Sequence, residues 1–176
     1  MPPSTVKKGC TMRRAPGFGL CLLLMACASV PEIAPMPQPL TITVTCKDNP
    51  SCVFRDEDLF LDIAVTNTTA GTIGFPLAFV QKTGPSIRLS DRRTGQETNL
   101  RTTAADFALK DDLTPIAPGG AARIAWLITV FELRQMGGAD VDLDAEVTVG
   151  ARIARDGQRV PVLGKATLRI VEKRAR

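Results

Sequence analysis

The stretch that decides the fold is VDLDAEVTVGARIARDGQRVPVLGKATLRI, from Val141 to Ile170. Apolar or small residues occupy every second position before and after Asp156-Gly157, which is the period of a β-strand with one buried face. Asp-Gly is strongly preferred in the two-residue type I′ turn that joins antiparallel strands. The C-terminal third of the chain is therefore predicted to be a long β-hairpin.

A turn at Asp156-Gly157 also predicts the register of this hairpin, since it places Arg155 opposite Gln158. The same register pairs apolar residues with one another along the whole hairpin: Ile153 with Val160, Ala151 with Val162, Val147 with Ala166, Ala145 with Leu168, and Leu143 with Ile170. A slip of one residue would turn a complete apolar face to water. Turn chemistry and apolar period thus favour the same pairing.

Four carboxylates share the opposite face of the first strand, at positions Asp140, Asp142, Asp144 and Glu146. The register places Asp144 opposite Arg169, and Glu146 diagonal to Arg169 and Lys165, so a solvated, ion-paired face is predicted. A calcium site is the alternative, because Asp-x-Asp-x-Asp is rich in oxygen ligands. The glycine and closing glutamate of an EF-hand loop are missing, however, and a strand spreads its ligands along a line. No metal site is predicted.

The remaining chain from residue 40 contains short runs rich in Val, Ile, Thr and Leu, separated by Asn, Asp, Gly and Pro. Such runs predict an all-β, antiparallel sandwich occupying residues 40–176 as one domain. The apolar run Ala122–Val130 predicts a central strand buried on both faces, with Trp126 in the core. Only Thr103–Lys110, with Thr103 as N-cap, and Phe131–Met136 are predicted to be helical.

Three segments carry a family resemblance: LDIAVTNTTAGTI (61–73), IRLSDRRTGQE (87–97) and LTPIAPGGAARIAW (113–126). Together they resemble bacterial immunoglobulin-like or fibronectin-III-like modules, and they are similar to the sandwiches of small bacterial proteinase inhibitors. The resemblance implies an immunoglobulin-like β-sandwich. It also provides an alternative function, in which an exposed loop, Gln81–Pro85 or Asp91–Gln96, blocks a protease.

The first part of the chain has the composition of an export signal. Basic residues precede an uncharged apolar run that ends in LLLMACASV (22–30), and the run is too short to span a bilayer as a helix. Leu24-Met25-Ala26-Cys27 resembles the lipobox of bacterial lipoproteins. That resemblance implies cleavage after residue 26, a diacylglyceryl group on the sulfur of Cys27 and, usually, an acylated new amino terminus. The alternative is an ordinary cleaved signal with an incidental cysteine.

The lipobox resemblance also implies a location. Residues 1–26 would be the signal peptide, and residues 27–39, with prolines at 31, 35, 37 and 39, an extended linker that holds the domain away from the membrane. The position after Cys27 is Ala28 and lacks the aspartate that favours inner-membrane retention in lipoproteins of enteric-type bacteria. The periplasmic face of the outer membrane is therefore the expected location in the bacterial envelope.

Two cysteines remain after removal of a signal peptide and modification of Cys27, namely Cys46 and Cys52. An even pair in an oxidising compartment is predicted to form a disulfide, and the Asp-Asn-Pro turn between them favours a close approach. A zinc site is the alternative. It would need further ligands that a chain without histidine does not provide at these cysteines.

Charge and composition restrict the function further. Four of the 22 basic residues and none of the 18 acidic residues precede Cys27, so the predicted mature chain is neutral and nucleic acid is not an expected partner. The absence of histidine removes Ser-His and Cys-His nucleophile pairs. We expect no enzyme activity and no cofactor, but a lipid-anchored binding or assembly module that contacts the membrane through its acyl groups and an envelope protein through its sandwich.

Overall fold

The computed structural model describes residues 38–172. The predicted signal peptide, Cys27 and residues 28–37 of the predicted linker lie outside this range. The elements in chain order are β1 (Leu40–Cys46), β2 (Val53–Phe54), β3 (Leu59–Asn67), β4 (Ile73–Phe75), α1 (Leu77–Thr83), β5 (Ser86–Asp91), β6 (Glu97–Asn99), a 3-10 helix (Phe107–Asp111), β7 (Thr114–Ile116), β8 (Ala121–Ile128), α2 (Val130–Gly137), β9 (Asp142–Arg155) and β10 (Gln158–Glu172).

The strands form two sheets, which confirms a mostly β fold built from antiparallel pairs. One sheet has the order β1-β3-β8, and the other has β2-β10-β9-β4-β7 with β5 on β9 and β6 outside β5. Of the strand pairs in the part of the chain that the structure describes, only the short pair of β2 and β10 is parallel. Buried side chains of both sheets belong to one apolar core. The sheets approach each other closely where Ile42 of β1 packs on Gly164 of β10, since a Cβ atom at position 164 would overlap the Ile42 side chain.

The long hairpin of β9 and β10 has the predicted turn and register. Asp156 and Gly157 both have positive φ angles, 51° and 75°, as a type I′ turn requires. Arg155 pairs with Gln158, and the pairing continues without interruption to Asp142 and Val171. The predicted apolar faces of both strands point into the core. Local turn chemistry and the apolar period were sufficient to specify this part of the fold.

The second edge of β9 is shared by two strands that do not meet. β5 pairs with its first half, from Leu143 to Thr148, and β4 reaches it only through the Gly74–Ala154 pair. The chain between β4 and β5 forms α1. The segment Gly150–Arg152 of β9 therefore has a strand partner on its β10 edge but, among the described residues 38–172, none on the other edge.

The structure corrects the prediction for residues 122–130. β8 is the outer strand of the three-stranded sheet, and its residues alternate between exposed and buried. The alanines at positions 121 and 125 lie on the exposed face, where small apolar residues are tolerated without a covering layer. Trp126 is only partly buried, and it packs over Gly84 at the end of α1.

The helices also differ from the predictions. α1 was not expected, because it follows Pro76 and has no side-chain cap. The predicted helix Thr103–Lys110 is a 3-10 helix from Phe107 to Asp111, and its N-cap is Asp106, not Thr103, since the Asp106 side chain accepts from the Ala108 N–H. α2 begins at Val130, one residue before the predicted start, and Gly138 is its C-cap.

Candidate functional site

A groove lies between the outer strand β6 and the helix α2. Its volume is about 710 Å³, and it is lined by Gln96, Glu97, Thr98, Asn99, Leu100, Arg101, Thr129, Phe131, Glu132, Gln135 and Met136. One wall is thus strand and the other is helix. We call it the β6–α2 groove.

The strand wall has free hydrogen-bonding groups on its backbone. The Leu100 N–H donates to Ile87 O at 2.8 Å, and the Asp91 N–H donates to Gln96 O at 2.9 Å. In an antiparallel ladder successive residues bond to opposite sides, so Glu97 and Asn99 direct their N–H and C=O groups away from β5. No other strand among residues 38–172 pairs with β6. An edge of this kind can accept an additional strand.

The helix wall is firmly held but presents apolar surface to the groove. The Thr129 hydroxyl accepts from the Glu132 N–H at 3.2 Å, and the Glu132 carboxylate accepts from the Thr129 N–H at 2.9 Å, which is a complete capping box. Leu133 is fully buried and anchors the helix in the core. Phe131 is 71% exposed, so it places a large apolar side chain at the groove without a covering neighbour.

Most of the charges around this groove already have partners. Glu97 forms an ion pair with Arg88 at 3.3 Å, and Glu132 is engaged in the cap of α2. Arg101 is exposed and forms no ion pair with a described carboxylate. The groove therefore combines free backbone groups, an exposed aromatic ring and one cation that is accessible to a ligand.

The predicted acidic face of β9 is ion-paired along its length. Glu146 binds Lys165 at 3.2 Å, as predicted, and Arg88 at 3.4 Å. Asp144 lies opposite Arg169 in the ladder, but Arg169 binds Asp142 at 2.9 Å and Asp144 binds Arg92 at 3.2 Å. Asp140 precedes β9 and contacts Arg93 at 3.5 Å. Within residues 38–172, no group of three or more carboxylates or cysteines is placed to hold a metal ion.

A second charge cluster connects α2 to the edge of the larger sheet where β2 pairs with β10. The guanidinium of Arg134 binds Asp56 at 2.7 Å and both carboxylate oxygens of Glu172 at 2.8 and 2.9 Å. It also stacks on the ring of Phe54, 4.7 Å from the centroid. The hydrogen bonds from Arg134 lower the pKa of Asp56 and of Glu172, and the Val141 N–H lowers that of Glu172 further. The two carboxylates in turn raise the pKa of Arg134.

This cluster predicts an acid-sensitive contribution to stability. The pKa values of Asp56 and Glu172 are lower in the folded protein than their ordinary values of 3.8 and 4.5, so the unfolded state binds these protons more tightly. The contribution is complete above the ordinary values and is lost as the pH falls through the lowered ones. We expect Arg134→Met to reduce the melting temperature by several degrees at pH 7 and to weaken its dependence on pH between 7 and 3.

The matched control for this prediction is Arg123→Met, which removes an ion pair with Asp62 on the exposed face of β3 and β8. The Arg123 side chain is 70% exposed, and exposed pairs add little stability. Melting curves recorded by circular dichroism at several pH values measure both variants. An Arg134→Met protein that keeps the pH dependence of the unaltered chain would contradict the assignment.

The predicted cysteine pair forms a disulfide in the structure, with the Cα atoms of Cys46 and Cys52 at 5.3 Å. Both residues are buried. The bond closes the turn after β1, where Asp48 and Cys52 have positive φ angles. The predicted lipobox residues Leu24, Met25 and Ala26 and the predicted lipid attachment at Cys27 lie outside the described residues. No helix of residues 38–172 is long and apolar enough to cross a membrane.

Of the two segments expected to be exposed inhibitory loops, residues 92–96 form an exposed turn, whereas 81–85 does not form a loop. Residues Gln81 to Thr83 belong to α1, so the segment 81–85 is not an extended loop. Segment 91–96 is a tight turn in which the buried Asp91 carboxylate accepts from the N–H groups of Arg93 at 2.7 Å and Thr94 at 3.2 Å. These hydrogen bonds lower the pKa of Asp91, and the bond from the Arg93 N–H has the largest effect.

Comparison of the sequence with known proteins does not assign it to a family. No family model matches the sequence, and no curated protein matches it. Three similar solved structures are a structural-genomics target, a Bordetella pertussis protein named ApaA and a protein from Archaeoglobus fulgidus. Their sequence identities to this chain are 10%, 12% and 9%, and their TM-scores are 0.40, 0.38 and 0.36. The matches cover 76%, 78% and 77% of this chain and 84%, 98% and 99% of the respective neighbour. At such TM-scores and identities the likeness supports no argument about function.

Sequence patterns alone did not reveal the β6–α2 groove. The helix start was readable, because Thr129-Val-Phe-Glu132 has the spacing of a capping box. Nothing local in Glu97–Asn99 indicates that β6 is the outer strand, because strand order depends on pairing between distant parts of the chain. The exposure of Phe131 likewise depends on which face of α2 meets the sheets.

Proposed function

We propose that this protein is a non-catalytic, lipid-anchored module of the bacterial envelope that binds an extended segment of a partner protein in the β6–α2 groove. The free edge of β6 beside the exposed ring of Phe131 is the observation that carries this proposal. We further propose that the two sheets form an immunoglobulin-like sandwich, which the single core shared by both sheets supports.

The anchor in this proposal is the sulfur of Cys27 in Leu24-Met25-Ala26-Cys27. One acyl chain gives only marginal membrane binding, whereas two or three chains anchor stably, because each buried methylene adds about 0.8 kcal/mol. The proline-containing residues 28–39 would then act as a spacer. An anchor at the periplasmic face of the outer membrane would present the groove to other envelope proteins.

The binding mode is strand addition. An incoming segment would pair with the N–H and C=O groups of Glu97 and Asn99, and its alternate side chains would point toward Phe131 of α2. Apolar side chains suit the contact with the Phe131 ring. The carboxylates of Glu97 and Glu132 already have partners, so they do not require basic residues on the incoming segment. A carboxylate on the segment would complement Arg101. The proposed occupant is therefore an extended, largely apolar segment that carries an acidic residue.

Photo-crosslinking in cells that express the full chain tests the binding mode. A benzoylphenylalanine at position 135, which is exposed and lines the groove, should form a product with a partner protein. Asn99→Pro removes the outward N–H but no ladder bond to β5, and proline is tolerated on edge strands. We expect Asn99→Pro to abolish the product and Asn99→Ala, which keeps the N–H, to preserve it.

A second crosslinker position serves as the control. Ala125 is exposed on β8, the outer strand of the other sheet, and does not line the groove. The same product from position 125, equal products from Asn99→Pro and Asn99→Ala, or no product from position 135 would each contradict binding in the groove. The anchor is tested separately by mass spectrometry of native material, in which an unmodified Cys27 would contradict it.

A further inference from the structure

A second concave site lies where the edge of β9 has no strand partner. The cavity measures about 690 Å³ and is lined by Phe79 of α1, by Phe107, Lys110 and Asp111 of the 3-10 helix, by Gly150, Ala151 and Arg152 of β9, and by Arg159 of β10. We call it the β9 gap pocket. It shares no lining residue with the β6–α2 groove.

The floor of the pocket provides unpaired main-chain groups. The Arg92 N–H donates to Asp142 O at 3.1 Å, so the even-numbered residues of β9 bond toward β5, and the odd-numbered ones toward β10. The alternation of exposed and buried residues continues through the gap. Gly150 and Arg152 therefore direct their N–H and C=O groups into the space between β5 and β4, where no described strand meets them.

The wall of the pocket is aromatic. The rings of Phe79 and Phe107 lie 6.5 Å apart at an angle of 32°, and Phe107 is 66% exposed. A single exposed phenylalanine is ordinary on a protein surface. Two adjacent rings that line one cavity form a platform on which a flat apolar group can pack.

The pocket is also positively charged. The ammonium of Lys110 lies over the two rings, 4.1 Å from the centroid of Phe107 and 5.4 Å from that of Phe79. Arg159 is paired with Asp111 at 2.7 Å. Arg152 forms no ion pair with a carboxylate among residues 38–172. Three cations against one carboxylate leave an excess of positive charge beside the aromatic platform.

We infer that the β9 gap pocket binds an organic anion with an aromatic ring. The ring packs on Phe79 and Phe107, and the anionic group lies between Lys110 and Arg152. The backbone groups of Gly150 and Arg152 supply additional hydrogen bonds that orient the ligand. This inference is independent of the proposed protein partner, because the two sites lie on different elements.

Isothermal titration calorimetry of the full chain with naphthalene-2-sulfonate tests the inference. Its neutral analogue, naphthalene-2-sulfonamide, has nearly the same shape and serves as the control ligand. We expect saturable binding of the sulfonate and binding of the sulfonamide at least about tenfold weaker, since loss of one charge-assisted contact is worth about 1.4 kcal/mol or more. No saturable heat with the sulfonate, or equal affinities, would overturn the inference.

Three variants locate the binding. Arg152→Gln removes the unpaired guanidinium, and Gly150→Leu fills the pocket from a position where a Cβ atom meets only Leu163 at 3.5 Å. Each variant is expected to bind naphthalene-2-sulfonate at least about tenfold more weakly than the unaltered chain does. Arg55→Gln removes an exposed arginine outside the pocket and is expected to leave the affinity unchanged. Circular dichroism melting shows that each variant is folded, and unchanged binding by folded Arg152→Gln and Gly150→Leu would also overturn the inference.

Discussion

Replacing Asn67 with alanine is expected to lower the free energy of unfolding by about 2–4 kcal/mol. Asn67 is fully buried at the end of β3, and every polar atom of its side chain is used. Its Nδ2 donates to Gly71 O at 2.8 Å and to Ile116 O at 3.0 Å, and its Oδ1 accepts from the Thr69 N–H at 2.9 Å and the Thr69 hydroxyl at 2.7 Å.

The size of this effect follows from the groups that alanine would leave behind. The bond to Ile116 O is buried and joins β3 to β7 of the other sheet. Without Asn67 the carbonyl of the buried Ile116 loses its side-chain donor, and a buried polar group that loses a partner costs more than the net value of the bond. The Asn67 backbone also holds the turn before β8, through Gly119 and Gly120 at 2.9 Å each.

Urea denaturation of both proteins measures the change. The matched control is Thr68→Ala, one residue further, where the hydroxyl donates only to Gln38 O at an exposed position. We expect that variant to lose less than about 1 kcal/mol. If Asn67→Ala were as mild as Thr68→Ala, the network around Asn67 would not be a major source of stability.

Replacing Gly84 with alanine is expected to destabilise the fold by about 3 kcal/mol. Gly84 ends α1 with φ 82° and ψ 162°, a backbone conformation open almost only to glycine. A Cβ atom there would overlap the ring of Trp126. The variant therefore combines backbone strain with displacement of a large side chain that packs against the core.

Two further variants separate these causes. Gly95→Ala has a positive φ of 70° but no neighbouring atom within 4 Å of the added Cβ, so it measures the cost of a positive φ without an overlap, about 1–2 kcal/mol. The double variant Gly84→Ala, Trp126→Ala removes the overlap. We expect the two changes to be less than additive in urea denaturation, because the alanine at 84 meets a ring only when Trp126 is present. Strict additivity would contradict the contact.

The sequence alone determined those features that depend on residues close together along the chain. Asp156-Gly157 and the alternation on either side specified the β9–β10 hairpin and its register, because a two-residue turn leaves one pairing that buries both apolar faces. The position of α2 was predicted nearly correctly, since Gly137-Gly138 ends it. The missed N-cap at Thr129 was readable from the Thr-x-x-Glu spacing.

Other features had no local signal. The run Ala122–Val130 suggested a strand buried on both faces, yet Ala125 and Leu127, which made it look continuously apolar, lie on the exposed face of β8. α1 was missed because it starts after Pro76 without a capping side chain. Short helices of this kind depend on tertiary packing, here of Val80 in the core, rather than on intrinsic propensity.

Only the tertiary structure decided where the sheets remain open. Among residues 38–172, β6 pairs only with β5 and so has a free outer edge. The segment Gly150–Arg152 is unpaired on one side because β5 and β4 share that edge of β9 and leave a gap between them. The β9 gap pocket then collects Phe79, Phe107 and Arg152 from distant parts of the sequence. The hydrophobic period of a strand specifies which face is buried but not which strand lies beside it, because strand order results from the packing of the whole core.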